Sequence, residues 1–266
     1  MFLGHAIALF RDDSYLDDAS RTLECIARLQ MYAWSLSRFE KSPYIYPVWG
    51  LGGLPEGFSR LAAVHGGVYM LRREIEEVLY DDSGAVTGVK VKDEGSATCK
   101  TLIGDPSYFS GTKKVARTGS VARWLCILDH PVEGTNNSHS AQIILPTKQT
   151  GHKSDIYISV QSNELQVAPK GRWIAMISAQ VYTNNPKQEL AAAYKLLGKV
   201  LKSFFTVNDT YEASNKDAKD NVFIPSSMDA TTHFEKTTKE VMEIYQAITG
   251  QAVDLNADPD KINEDQ

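Results

Sequence analysis

Residues 42–71, SPYIYPVWGLGGLPEGFSRLAAVHGGVYML, constrain the fold more than any other stretch of the chain. Pro43 and Pro47 hold an extended lead-in that carries Tyr44, Tyr46 and Trp49. Gly50, Gly52 and Gly53 then allow a tight turn. Pro55 suits the first turn of a helix, where a missing N–H costs nothing. Phe58, Leu61, Ala62 and Val64 are spaced for one apolar helix face. Gly66-Gly67 stops that helix, and residues 68–71 read as the start of a strand.

The glycines invite a second reading, a phosphate cradle of the G-x-G-x-x-G type. Gly50-Leu51-Gly52 is followed by Gly53-Leu54-Pro55, so the third glycine is missing. No β-branched strand leads in, and Pro55 reshapes the helix start. A dinucleotide fingerprint is therefore rejected. What remains is a tight turn that docks a short helix against a sheet.

At 266 residues the chain suits one large domain or two small ones. A chain of this size buries roughly 70–75% of its unfolded surface. The net charge of −5 argues against nucleic acid as the main partner. Cys25, Cys99 and Cys126 are widely spaced and form no C-x-x-C, which points to reduced thiols in a cytoplasmic setting. Residues 2–10 are apolar but lack the basic flank and cleavage site of a secretory signal. No segment approaches the length of a membrane span.

In chain order, Asp17, Asp18 or Ser20 can cap a helix whose stripe is Cys25, Leu29, Tyr32 and Leu36. After the central stretch, residues 77–80, 85–92 and 97–103 read as a β-meander with turns at 81–84 and 93–96. Residues 123–128, 141–145, 156–160 and 173–181 read as further strands. Asn185, Pro186 and Gln188 suggest a capping box for a helix running to about Phe205. Residues 222–224 form a short strand. Thr232 and Glu235 suggest a second capping box, for a last helix lined by Phe234, Val241, Tyr245 and Ile248 and ended by Gly250. Residues 251–266 are acidic and apolar-poor, a composition expected to stay disordered.

No catalytic constellation emerges. His5, His65, His130, His139, His152 and His233 fall at no metal-ligand spacing. Neither a P-loop nor a G-x-S-x-G elbow is present. Cys25 lies on an apolar stripe, where a buried, inert thiol is expected. Neither a catalytic residue, a cofactor nor a metal is expected, and a binding function fits better.

The chain resembles the Rab GDP-dissociation inhibitor family, relatives of the Rab escort proteins. The resemblance rests on Ser42-Pro43-Tyr44-Ile45-Tyr46-Pro47, Gly50-Leu51-Gly52, Leu54-Pro55, Gly57-Phe58, Arg60-Leu61 and Gly66-Gly67-Val68-Tyr69-Met70-Leu71. It continues in Gly4-His5-Ala6, Gly104-Asp105-Pro106-Ser107-Tyr108, Lys153-Ser154-Asp155, Val167-Ala168-Pro169-Lys170-Gly171 and Asp229-Ala230-Thr231-Thr232-His233-Phe234-Glu235. A weaker version of the pattern occurs in flavin-dependent amine oxidases and desaturases, which gives the alternative of an oxidoreductase portion. The resemblance implies an α/β fold: a flavoprotein-like mixed sheet with a β-meander and flanking helices, plus a remnant of a helical domain. Residues 1–41 would be that remnant, 42–250 the main domain and 251–266 the tail. It also implies a chain that begins inside the family's pattern, without the first βαβ unit.

By the same resemblance, the partner is a GDP-loaded, prenylated Rab GTPase, with only transient membrane contact. Gly53, Glu56, Arg60, Val68 and Met70 fall at the family's Rab-binding platform. Arg38, Lys41, Ser42 and Tyr44 fall in its mobile membrane-delivery loop. Arg60 and Met70 match the family. Gly53 stands for a Glu, Glu56 for a Gln and Val68 for a Thr, and residues 161–166 depart from the usual run. Loss of a buried hydrogen-bond partner costs about 1–3 kcal/mol, so these changes are expected to weaken Rab binding.

Overall fold

The computed structural model describes residues 2–39, 44–214 and 218–255. They divide into two compact units. The first comprises residues 1–69, 119–209 and 229–232; the second comprises 70–118, 210–228 and 233–266.

The first unit is built on a sheet. Its strands are β5 (Val115–Leu128), β6 (Ser140–Leu145), β7 (Ile156–Ser162), β8 (Trp173–Gln180) and β9 (Lys202–Ala213), in the order β6-β7-β8-β5-β9. β5 and β9 contribute residues to both units. Strand period places alternate residues on one face. Ala122, Cys126 and Leu128 share that face with Ile156, Ile158 and Val160 and with Ala175, Ile177 and Ala179. The register sets Ile158 opposite Ile177 and Val160 opposite Ala175. The short helix α3 (Thr147–Thr150) joins β6 to β7. Leu190, between the short helices α4 (Pro186–Glu189) and α5 (Ala191–Leu196), Ala193 within α5 and Leu197 just beyond it complete the core at 0% exposure.

Residues 229–232 form a strap on the same sheet, which gives the Asp-Ala-Thr-Thr motif a structural task. The Arg123 guanidinium donates to the Asp229 carbonyl at 2.8 Å. The Ser178 hydroxyl donates to the Ala230 carbonyl, and the Gln142 amide to the Thr232 hydroxyl. The chain start is fastened too. Residues 3–7 make a single π-helical turn with Gly4 and His5 buried. Phe10 stacks on Tyr15 at 4.5 Å. Helix α1 (Arg21–Phe39) then presents Arg21, Cys25, Arg28, Leu29 and Tyr32 half-buried on one stripe.

The second unit holds the meander β1 (Ile75–Tyr80), β2 (Val86–Val91) and β3 (Gly95–Thr98), paired antiparallel in that order. The Asp81 carboxylate accepts from the Ser83 and Ala85 amides and shapes the first turn. A second pair, β4 (Leu102–Ile103) and β10 (Val222–Phe223), is parallel. Val86, Phe109, Val115 and Val222 are its core. Helix α6 (Glu235–Thr249) ends at Gly250, whose φ of +74° suits glycine.

Several local expectations are corrected. Residues 68–71 form no strand. Residues 97–103 are not one strand: they split between β3 and β4, which lie in different sheets. The helix expected to reach Phe205 stops before Gly198, at φ +70°, and 202 onward is β9. The Asn185 side chain makes no cap; Glu189 accepts from the Tyr182 and Thr183 amides instead. The last helix lacks a side-chain cap at Phe234, and its predicted stripe stands exposed, from 38% at Ile248 to 59% at Val241.

Candidate functional site

Helix α2 (Gly53–Val64) follows a sharp turn at residues 47–50. The Gly50 amide donates to the Pro47 carbonyl at 3.1 Å, and the Gly53 amide to the Gly50 carbonyl at 3.1 Å. At the far end, the Gly66 and Gly67 amides donate to the carbonyls of Ala63 and Ala62. A Cβ on Gly67 would lie 2.8 Å from the Ala62 carbonyl oxygen, so glycine is required there. Start and stop are therefore as the sequence indicates.

The helix between them, expected to dock against a sheet, is instead uncovered. Ser59 and Ala62 are half-buried and all its other residues are exposed. Leu54, Phe58 and Leu61 form one stripe, 43%, 71% and 55% exposed. Gly53, Glu56 and Arg60, at i, i+3 and i+7, form another. Among the described residues Glu56 and Arg60 make no ion pair, and a side chain at Gly53 would meet nothing within 4 Å. Glu56 lies in the first turn, where the helix dipole favours a negative charge. Twelve residues without a buried side chain make a marginal helix in water. Contiguous apolar surface of this kind marks an interaction face.

Of the other expected platform residues, Val68 follows the Gly66-Gly67 stop and is 85% exposed. Met70 is 60% exposed and belongs to the second unit, whereas Gly53, Glu56, Arg60 and Val68 belong to the first. In the expected delivery loop, the Arg38 guanidinium lies 5.2 Å from the Trp34 ring centroid. Tyr44 sets its ring edge-on to Tyr32 at 6.5 Å. Lys41 and Ser42 lie outside the described residues.

One buried polar cluster escaped sequence reasoning. His5 Nδ1 lies 2.6 Å from Asp155 and Nε2 lies 3.0 Å from Asp13. The Thr147 amide donates to Asp155 at 3.3 Å. The hydrogen bond from His5 holds the Asp13 carboxyl below its usual range. Burial pushes the Asp155 carboxyl up. The cluster ties the start of the chain to the segment before β7, since the Asp155 amide also donates to the Arg11 carbonyl at 3.2 Å. Gly4-His5-Ala6 and Lys153-Ser154-Asp155 lie far apart in the sequence, and nothing local says that they meet. Among the described residues, no group of three or more His, Cys, Asp or Glu is arranged to hold a metal. Among the same described residues, no helix is long and apolar enough to cross a membrane.

The sequence profile of the GDP dissociation inhibitor family matches residues 1–260. The chain belongs to the GDP dissociation inhibitor family. It is 47% identical over 258 residues to a guanosine nucleotide diphosphate dissociation inhibitor of Arabidopsis thaliana, covering 97% of this chain and 57% of the relative. It is 46% identical to the Schizosaccharomyces pombe protein named "Probable secretory pathway GDP dissociation inhibitor 1", covering 97% of this chain and 58% of that protein. The crystal structure of Rab GDI from Plasmodium falciparum superposes with a TM-score of 0.90 at 41% identity, over 96% of this chain and 57% of that one. The chain thus spans a little over half the length of the relatives it matches. The likeness shows the mixed α/β fold of that family.

Proposed function

We propose that the chain binds GDP-loaded, prenylated Rab GTPases and slows their GDP release. It is a cytoplasmic regulator of Rab recycling in vesicle traffic rather than an enzyme. The observation that carries this reading is α2: an apolar, uncovered helix whose two opposite charges make no ion pair among the described residues, in a family named for inhibiting GDP dissociation. Gly53, Glu56, Arg60, Val68 and Met70 are its contact residues. Arg is a frequent interface anchor, and Met an adaptable apolar contact. Arg38 and Tyr44, with Lys41 and Ser42, serve membrane delivery. The family match over residues 1–260 favours this reading over a portion of a flavin oxidoreductase.

The test is a pull-down of a prenylated Rab in its GDP and GTP forms. Capture of the GDP form, with roughly tenfold or greater weakening by Arg60→Ala, supports the proposal. Equal capture by Arg60→Ala, or preference for the GTP form, contradicts it.

A further inference from the structure

Trp49 is at odds with its surroundings. Its backbone sits at φ +75°, a region that bulky side chains avoid. Its indole is nevertheless 75% exposed, so burial within the unit does not offset that conformation. The strain is held by hydrogen bonds. The Trp49 amide donates to the Leu165 carbonyl at 2.9 Å. The supporting loop is tightly wound itself: Asn163–Leu165 is a 3-10 turn, and Gln166 closes it at φ +58°. A Cβ on Gly50 would lie 3.2 Å from Val167 Cγ1, so the turn is seated closely on that loop. The same turn runs directly into α2.

We propose that Trp49 is an aromatic anchor of the GTPase-binding surface, which extends from α2 across residues 47–50 to the loop at 163–167. This rests on the reading of α2 given above. Strained residues cluster where the fold must present a group in one pose. Trp dominates interface hot spots and loses little conformational freedom when fixed. Val48, Leu51 and Leu54 are 52%, 43% and 43% exposed and supply the apolar surround that excludes water from such an anchor. No charged residue occurs from 44 to 55, so this end of the surface takes an apolar pocket of the GTPase. The charges of Glu56 and Arg60 are met farther along the helix.

The experiment titrates a GDP-loaded, prenylated Rab with the wild-type chain, Arg60→Ala and Trp49→Gly. Glycine accepts φ +75° without strain, so Trp49→Gly is expected to melt no lower than wild type and to bind roughly tenfold or more weakly. If Arg60→Ala weakens binding while Trp49→Gly binds like wild type, the anchor is overturned and the α2 reading stands. If the wild-type chain binds no GTPase, both fall. A second readout does not depend on the variant folding. The wild-type chain carries 5-fluorotryptophan and the GTPase is unlabelled. The Trp49 fluorine resonance shifts on complex formation, while those of the half-buried Trp124 and Trp173 stay in place. An unmoved Trp49 resonance in a formed complex overturns the proposal.

Discussion

In the sheet of the first unit, Ile158 and Ile177 face each other across β7 and β8 and both are 0% exposed. On α2, in the same unit, Phe58 and Leu61 are 71% and 55% exposed. Both pairs belong to regular apolar patterns, and pattern alone does not separate them. The polar groups nearby do. Around the sheet, Arg123, Ser178 and Gln142 each reach the 229–232 strap, and Glu189 is held by Thr183, Tyr182 and His152. On α2, Glu56 and Arg60 are exposed and make no ion pair among the described residues. A face whose charges are already matched is part of the fold. On α2 those charges are left to water, and the uncovered apolar stripe beside them is what marks an interaction face.

The comparison breaks first on core truncation. Ile177→Ala is expected to cost about 2–5 kcal/mol in urea unfolding, because it leaves a cavity at a fully buried site. Phe58→Ala is expected to change stability by about 0.5 kcal/mol or less, as exposed positions do, and to weaken GTPase capture. Equal costs would place both residues in one core.

Glu189 sharpens the contrast next. Burial works against its charge, but hydrogen bonds from Thr183, His152 and the Tyr182 and Thr183 amides outweigh that and lower its pKa. A carboxylate with a lowered folded pKa adds stability above its unfolded pKa, and that stability is lost as pH falls through the folded value. Glu189→Gln should therefore cost about 1–3 kcal/mol at neutral pH. The deficit should shrink as unfolding is followed down through the acid range. A deficit independent of pH would assign the loss to packing.

Gly53→Glu tests the exposed side from the opposite direction. There is open space for the side chain, glycine is costly in a helix, and a carboxylate suits the N-terminal turn. Stability should rise by about 0.5–1 kcal/mol, with tighter GTPase capture. A melting temperature that rises with no gain in binding would remove Gly53 from the site. The smallest effect is chemical. Burial pushes the Cys126 thiol up to about 11, whereas Cys25, expected to be buried and inert, is only half-buried like Cys99, so iodoacetamide should label both before Cys126 in the folded chain.

The parts of this architecture legible in the sequence are those fixed by local rules. The glycines and proline around α2 set its ends. The turn at Asp81 and the alternation of residues 85–92 gave the first hairpin, and β6, β7 and β8 fall where residues 141–145, 156–160 and 173–181 read as strands. The failures lie where distant pairing decides. Residues 197–205 keep a helical spacing of apolar groups, but the Leu201 amide donates to the Ile127 carbonyl at 2.9 Å, and the chain goes on as strand. Residues 68–71 have strand composition but no pairing strand. His5 and Asp155 meet across 150 positions, which no local pattern encodes. For the candidate site, the residue types on α2 were readable. Their exposure, and the strained pose of Trp49, needed the fold.

The most direct measurement is amide hydrogen exchange along the chain with and without a GDP-loaded, prenylated Rab. Amides of α2 and of residues 47–50 should exchange quickly in the free chain and slow on complex formation. Those of β7 and β8 should be protected in both states. Fast exchange on α2 that persists in a formed complex, with protection arising elsewhere, would contradict the account.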